Sequence, residues 1–301
     1  MAPRAHSASV RSSAADVADP FRITGPAVIS FSGGRTSGYM LHRILQAHGG
    51  TLPADVVVCF ANTGREMPAT LDFVRDCGAA WSVPIKWLEY RREGVVGKLR
   101  QRVFAEEVSH NSAARNGEPF DALLTAKGLV PDPFRRFCTV ELKIRTVQRW
   151  IKAELFWRKW ANVVGLRADE MSRVQKKAAA DIKAKAPYVS VMPLADAGIE
   201  KIDVLRFWRD QPFDLELKGE HEGNCDGCFV KTKSALSRMF QDYPDRMDWW
   251  TRKESEGGSK TFVVGRSFAS IANLTLAQGV IPFSIDDPMM KLPCELSGCG
   301  A

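Results

Sequence analysis

Residues 30–37 read Ser-Phe-Ser-Gly-Gly-Arg-Thr-Ser, and this stretch is the most informative part of the sequence. The apolar run at 27–29 before it predicts a strand, and apolar residues at helical spacing in 39–45 predict a helix after it. A glycine turn between a strand and a helix lets the backbone approach an anion, and the helix N-terminus adds free N–H groups and a positive dipole. The stretch therefore predicts a phosphate-binding loop.

The candidate phosphate ligands are the six residues of this loop. They are Ser32, Gly33, Gly34, Arg35, Thr36 and Ser37. No Gly-Lys-Ser/Thr follows the glycines and no GxGxxG spacing is present, so the loop is neither a Walker loop nor a dinucleotide fingerprint. On these residues alone, an ordinary glycine-rich turn stays an open alternative.

Strand-like and helical patterns alternate along the first half of the chain. The strands are expected at 27–31, 55–60, 85–90 and 162–166, and the helices at 36–48, 66–80 and 141–159. This order predicts an α/β fold, a mainly parallel sheet with helices on both faces. Ligands of such sheets lie at the carboxyl ends of the strands. Asn62-Thr63-Gly64 and Gly165-Leu166-Arg167 are expected to share that edge with the glycine loop.

The chain is expected to have three parts. Residues 1–24 are interpreted as a disordered tail, and residues 25–215 as a nucleotide-binding domain with an insertion at about 94–136. Residues 216–301 are expected to form a small C-terminal subdomain that contains cysteines.

Composition limits the class of protein. The 301 residues are 45% hydrophobic and 26% charged, which is ordinary globular usage. The net charge of +7 favours an acidic partner, either a nucleotide or a nucleic acid. Neither a secretory signal nor an apolar run long enough for a membrane span is recognised, so we expect a cytoplasmic protein without a membrane partner.

The seven cysteines are expected to be thiols or metal ligands rather than disulfides, because no export signal is recognised. Cys59 and Cys77 lie in apolar surroundings and are predicted to pack in the core. The other five lie in polar or glycine-containing segments. They are Cys138, Cys225, Cys228, Cys294 and Cys299.

Four motifs in order resemble the PP-loop family that includes the phosphoadenosine phosphosulfate (PAPS) reductases. They are Ser32-Gly-Gly-Arg-Thr-Ser37, Ala61-Asn-Thr-Gly-Arg-Glu66, Arg136-Phe-Cys-Thr-Val-Glu-Leu-Lys143 and Gly165-Leu-Arg-Ala-Asp-Glu-Met-Ser-Arg173. The resemblance covers roughly residues 25–230, and the phage and bacterial members are the most similar. It implies that the first loop holds nucleotide phosphates and that Asn62, Thr63 and Gly64 lie against the nucleotide.

The same resemblance implies roles for three basic residues. Lys143, Arg167 and Arg173 would contact phosphate or sulfate, since a guanidinium group suits such oxygens. Glu170 would orient one of the arginines or be an ordinary surface carboxylate.

Family members that carry an iron–sulfur cluster pair a cysteine near the arginine motif with a distant Cys-x-x-Cys. Cys138, Cys225 and Cys228 match this plan, and Cys294, or else Cys299, would complete the four thiolates of a [4Fe–4S] cluster. These relatives usually have two adjacent cysteines where this chain has Phe137-Cys138. The alternative is a structural zinc site of Cys225, Cys228, Cys294 and Cys299.

The function expected from the resemblance is an ATP-using enzyme. It would cleave ATP to AMP and pyrophosphate, activate an acceptor, and pass sulfur or electrons at the cluster, with a sulfur donor or thiol reductant as partner. ATP-hydrolysing relatives often have Asp at the position of Thr36, which bears on the handling of Mg²⁺.

Two alternatives stay open at this point. A PAPS or adenylyl-sulfate reductase would form sulfite with Cys299 as the attacking thiol. Such reductases tend to have a degenerate loop and a C-terminal Glu-Cys-Gly motif, and this chain has an intact loop and lacks that motif. The third hypothesis is a nucleic-acid-binding subunit of a modification complex, with structural zinc.

Overall fold

A six-stranded sheet forms the centre of the protein. The computed structural model describes residues 19–94, 102–258 and 260–278. The strands are β1 (Ala27–Ser30), β2 (Val56–Asn62), β3 (Ile85–Glu93), β4 (Arg102–Val108), β5 (Trp160–Val163) and β6 (Tyr188–Val191). Their order is β4-β3-β2-β1-β5-β6, and all neighbours are parallel except β3 and β4. The predicted mainly parallel sheet is confirmed.

Helices cover both faces of this sheet, because alternate residues of β1 enter two separate cores. Ala27 and Ile29 pack with α1 (Arg35–Ala47), α2 (Pro68–Ala80) and Trp208 on one face. Val28 packs on the other face with Trp150 and Ile151. A strand buried on both faces reads as a continuous apolar run, which is why 27–29 has no polar residue.

The predicted insertion adds an edge to the sheet. Strand β4 pairs antiparallel with β3 over the register Trp87↔Val108 to Glu93↔Arg102, and α3 (Glu118–Lys127) follows it. The chain then enters a long helix that begins with a π-helical turn, Thr139–Ile144, continues as α4 (Arg145–Trp150) and ends with the π-helical segment Ile151–Leu155. The helix therefore begins two residues earlier than the predicted start at 141, and it ends four residues earlier than the predicted end at 159.

The remaining helices follow β5 and β6. They are α5 (Met171–Ala184), α6 (Pro193–Asp196), α7 (Lys201–Arg209), α8 (Lys233–Asp242), α9 (Pro244–Glu256) and α10 (Phe268–Gln278). Helices α8 to α10 pack together through a core that contains Trp250, Phe262 and Phe268. Phe120 of α3 and Tyr90 of β3 belong to the same core. The described part of the C-terminal segment thus shares one core with the insertion.

Residues 19–24 precede β1 and contact the core. Phe21 is 1% exposed and Ile23 is 6% exposed, and both belong to the core beside α1. The described part of the predicted tail, residues 19–24, is therefore packed rather than disordered.

Among the described residues, no helix is both long and apolar enough to cross a membrane.

Candidate functional site

The glycine loop closes on the side chain of Ser37. Its Oγ accepts hydrogen bonds from the N–H groups of Ser32 (3.2 Å) and Gly34 (3.3 Å), donates to the Gly34 carbonyl (2.9 Å), and lies 3.1 Å from the Ser32 Oγ. These bonds hold the loop at the N-terminus of α1, where backbone N–H groups have no helical partner. The loop therefore has the local geometry of an anion site.

Gly33 is the loop position that only glycine fits. Its φ angle is +79°, and a Cβ there would lie 2.7 Å from Thr70 Cγ2. Gly34 has an ordinary extended backbone, with φ at −109°, and the nearest atom to its Cβ would be Ser32 Oγ at 3.7 Å. A side chain at position 33 would therefore be strained, whereas position 34 can accommodate one.

We expect Gly33→Ala to lower the free energy of unfolding by about 1–3 kcal/mol. The alanine would be held in the left-handed region of backbone conformation, and its Cβ would overlap with Thr70. Nucleotide affinity should fall with it. Gly34→Ala is the matched control and should change stability by less than about 1 kcal/mol. Thermal unfolding and nucleotide titration of both variants measure the difference. Equal effects at the two positions would contradict the assigned loop geometry.

The side chains of Arg35 and Thr36 have protein partners. The Arg35 guanidinium donates to both Asp214 oxygens (2.7 and 2.8 Å) and to the Leu215 carbonyl (2.8 Å), so it ties α1 to the segment after α7. Thr36 Oγ1 accepts a hydrogen bond from Arg167 Nη1 at 3.2 Å. The Arg35 side chain, predicted as a phosphate ligand, is thus engaged in a structural ion pair, and Arg167 is brought to the loop.

Arg167 and Arg173 share Glu170. Arg167 donates to both oxygens of Asp169 (2.8 and 3.0 Å) and lies 3.4 Å from the Glu170 carboxylate, and Arg173 pairs with the same carboxylate. Burial lowers the pKa of Arg167, but Asp169 and Glu170 outweigh it and raise that pKa above its ordinary value. Glu170 therefore orients both arginines, whereas the sequence analysis expected it to orient one of them or to be a surface carboxylate.

The turn after β2 is held by its own buried side chains. Asn62 donates to Glu89 Oε1 (2.6 Å) and to the Ala114 carbonyl (2.9 Å), and it accepts from the Gly64 N–H (3.1 Å). Thr63 donates to the Glu66 carboxylate at 2.9 Å. Asn62 and Thr63 are at most 1% exposed. Both side chains, predicted to contact the nucleotide, are thus used to build the turn.

Three cysteines predicted as metal ligands line one cavity, which we call the thiol pocket. Cys138 comes from the start of the long helix, and Cys225 and Cys228 come from the loop before α8. Two cations, Arg136 and Lys143, line the same cavity. None of these three cysteines forms a disulfide.

A second cavity, which we call the loop pocket, opens beside the glycine loop. Ser30, Ser32, Asn162, Gln148, Trp160 and Tyr188 are among its lining residues. Lys143 lines this cavity as well as the thiol pocket. One lysine therefore lies between the glycine loop and the three thiols.

Cys225 is 8% exposed. Burial, with the Glu66 carboxylate, raises the pKa of Cys225 to about 12, although Lys143 and the Thr63 hydroxyl act in the opposite direction. The Thr63 Oγ1 lies 3.4 Å from the Cys225 Sγ. Cys225 thus touches the turn that follows β2.

Asp226 joins the Cys-x-x-Cys loop to that turn, and the sequence analysis did not identify it. Its carboxylate receives hydrogen bonds from Arg65 (2.6 Å), Arg246 (2.7 Å) and the Trp250 indole N–H (2.6 Å). Its own N–H donates to the Arg65 carbonyl at 2.8 Å, and Cys225 forms a β-bridge with Glu66. The only signal in the sequence was an acidic residue between two cysteines and an arginine in the second motif.

The other cysteine predictions divide into two groups. Cys59 and Cys77 are buried in β2 and α2, as predicted. Cys294 and Cys299 lie outside the described residues. Within residues 19–94, 102–258 and 260–278, no three His, Cys, Asp or Glu side chains are placed to hold a single metal ion.

The solved structures that are similar to this chain include the following two. The first is a phosphoadenylyl-sulfate (PAPS) reductase from Candida auris in a phosphate complex. It has 18% identity and a TM-score of 0.37, over 62% of this chain and 73% of that one. The second is the U34-tRNA thiolase NcsA from Methanococcus maripaludis with its [4Fe-4S] cluster. It has 14% identity and a TM-score of 0.36, over 85% and 83% of the two chains.

Sequence comparison gives the stronger result. The chain is 30% identical over 216 residues to the uncharacterized nin region protein ORF290 of Escherichia phage lambda, a match that covers 71% of this chain and 69% of that protein. The family model described as the phosphoadenosine phosphosulfate reductase domain matches residues 26–212, more than half of the chain. The chain therefore belongs to the phosphoadenosine phosphosulfate reductase domain family.

Proposed function

We propose that this protein is a PP-loop enzyme that binds ATP, cleaves it to AMP and pyrophosphate to activate an acceptor, and transfers sulfur or electrons at an iron–sulfur cluster in the thiol pocket. Its family supports the coarser part of this proposal, a nucleotide-using enzyme of the PP-loop and sulfonucleotide reductase kind. The observation that carries the finer part is that Lys143 lines both the loop pocket and the thiol pocket.

In the proposed reaction the loop 32–37 binds the phosphates. An acceptor nucleophile attacks the α-phosphorus of ATP, the α–β bridging bond breaks, and pyrophosphate leaves with the electron pair of that bond. AMP then leaves the adenylated acceptor when the nucleophilic sulfur of the donor attacks it. Arg167, at 3.2 Å from Thr36, and Lys143 would stabilise the charge that develops on the phosphate oxygens. Arg173 would act through the carboxylate that it shares with Arg167.

The loop pocket is lined by groups of the kind that contact a nucleoside. Trp160 and Tyr188 supply aromatic rings, with their centroids 5.7 Å apart, and Asn162 and Gln148 supply amide groups. Flat apolar walls with a few polar groups are typical of small-molecule sites. The Ser30 hydroxyl donates to Asn162 Oδ1 at 2.8 Å, which fixes the orientation of that amide.

The donor set of the thiol pocket fits a cluster better than the zinc alternative. The zinc site would leave Cys138 unused, whereas Cys138 lines the same cavity as Cys225 and Cys228. Arg136 and Lys143 would offset the negative charge of thiolate ligands. We propose Cys138, Cys225 and Cys228 as ligands, with Cys294 as the fourth. When bound, the cluster would supply one-electron chemistry or an iron that binds sulfur.

A sulfonucleotide reductase is the second candidate, because the matching family model is named for that activity. In that reaction a thiolate, proposed as Cys299, would attack the sulfur of PAPS, the nucleotide phosphate would leave, and a thiol reductant would release sulfite. The two candidates differ in product: pyrophosphate from ATP in one, and sulfite from PAPS in the other.

The test is to supply protein isolated without oxygen with a small nucleophile as acceptor, and to assay for both products. We expect pyrophosphate from ATP and no sulfite from PAPS. Lys143→Met should reduce pyrophosphate release at least about tenfold, the effect of one lost charge-assisted contact. Lys152→Met, an exposed lysine of the same helix, is the control and should retain activity. Sulfite formation without pyrophosphate release would select the reductase instead.

A further inference from the structure

The approach to the thiol pocket carries an exposed aromatic ring that the proposed reaction does not use. Phe134 is 72% exposed, and it precedes Arg136 and Cys138, which line the pocket. Single exposed apolar side chains are common on protein surfaces, so it is the place of this ring beside the candidate site, and not its exposure alone, that makes it a candidate contact for a ligand.

The loop that carries Phe134 is built to hold it outward. Pro131, Asp132 and Pro133 are buried, and one Asp132 oxygen accepts from the N–H groups of Phe134 (2.9 Å) and Arg135 (2.8 Å). The other oxygen accepts from the Arg135 guanidinium at 2.9 Å. A rigid aromatic ring loses little entropy when a ligand packs on it. The exposure of Phe134 is thus a feature of an ordered turn.

The stretch of chain that carries the ring has an excess of basic residues. Residues 127–149 contain six Lys or Arg and two carboxylates. Glu141 pairs with three of these cations: its carboxylate binds Arg145 and Arg149, and it lies 3.9 Å from the Lys127 ammonium group. Arg145 is still 55% exposed and Arg135 is 46% exposed. One carboxylate thus faces three cations at Glu141, so the stretch that carries the exposed ring keeps an excess of positive charge.

From this arrangement we infer that the segment 127–149 binds single-stranded nucleic acid through Lys127, Arg135 and Arg145, with a base stacked on Phe134. Phosphates suit the guanidinium groups, and a protruding ring can stack only on an unpaired base. Protein interfaces, by contrast, have a contiguous apolar core, and Val140, 38% exposed, is the other exposed large apolar side chain of this stretch. That the bound strand is also the acceptor rests on the proposed function.

The test is titration of fluorescein-labelled single-stranded RNA and DNA 12-mers with the full chain, without ATP. If three or four phosphates are contacted, affinity should fall about 20- to 50-fold between about 50 and 200 mM salt. Phe134→Ala should weaken binding about tenfold, the loss of one stacked base. Phe156→Ala is the matched control: it is 80% exposed, about 25 Å away at the far end of the long helix, and should bind like wild type.

Three results would overturn the inference: no binding at low salt, equal binding by the two phenylalanine variants, or equally tight binding of polyglutamate, which would indicate a nonspecific anion surface or an acidic protein partner. The titration contains no ATP, and the pyrophosphate assay needs no nucleic acid when a small acceptor is used. Failure of one experiment therefore leaves the other interpretable.

Discussion

Replacing Asp226 with Asn is expected to lower the free energy of unfolding by about 3–5 kcal/mol, the usual cost of breaking a buried ion pair from one side. The Asp226 side chain is 0% exposed and that of Arg65 is 4% exposed. An amide at this position would turn N–H donors toward the guanidinium groups of Arg65 and Arg246. The variant would leave buried positive charge without its partner.

The chain provides a matched control for this variant. Arg35 and Asp214 form the same two-bonded pair at 2.7 and 2.8 Å, but their side chains are 34% and 38% exposed. Asp214→Asn should therefore cost about 1 kcal/mol or less, because water replaces the lost partner. Denaturant unfolding of both variants measures the difference. Equal losses would contradict the assignment of Asp226 as the buried centre of this contact.

The second large effect concerns iron. Protein isolated without oxygen should contain iron and a broad visible absorption band, and Cys138→Ser, Cys225→Ser or Cys228→Ser should each remove essentially all of both, because a cluster needs its thiolate ligands. Cys77→Ala is the control, since this cysteine is buried in α2 far from the thiol pocket in sequence, and iron should be retained.

Metal analysis separates the outcomes of that experiment. Colourless protein with stoichiometric zinc, retained in Cys138→Ser, would support the zinc alternative and contradict the cluster. Cys294→Ser tests the proposed fourth ligand in the same way. If this variant keeps its iron, Cys294 is not the fourth ligand.

The sequence alone predicted the parts of this protein that depend on local order. The run at 27–29, the glycine loop and the helix after it follow from spacing between neighbours, and the structure has them at Ala27–Ser30 and Arg35–Ala47. The parallel sheet follows from the alternation of such units. The π-helical start at Thr139 was not predicted, because its hydrogen-bond pattern gives no distinct spacing over six residues.

The roles of individual polar side chains in the candidate site were harder to predict. Asn62 and Arg35 belong to motifs that suggested ligand contacts, yet their side chains bind Glu89 and Asp214, which lie 27 and 179 positions away. No pattern within one motif identifies a partner at such a distance. Glu170, whose partners lie within three residues, could be predicted, and both of its ion pairs are found.

Residue types and short-range spacing were therefore enough to predict the sheet, the glycine loop between β1 and α1, and the set of cysteines that merit attention. Only the folded chain shows which cysteines share a cavity, that Lys143 lines both pockets, and that Asp226 joins the Cys-x-x-Cys loop to the turn after β2. These relations join residues from distant segments. They arise only when burial forces each charged or polar group to find a partner wherever the fold provides one.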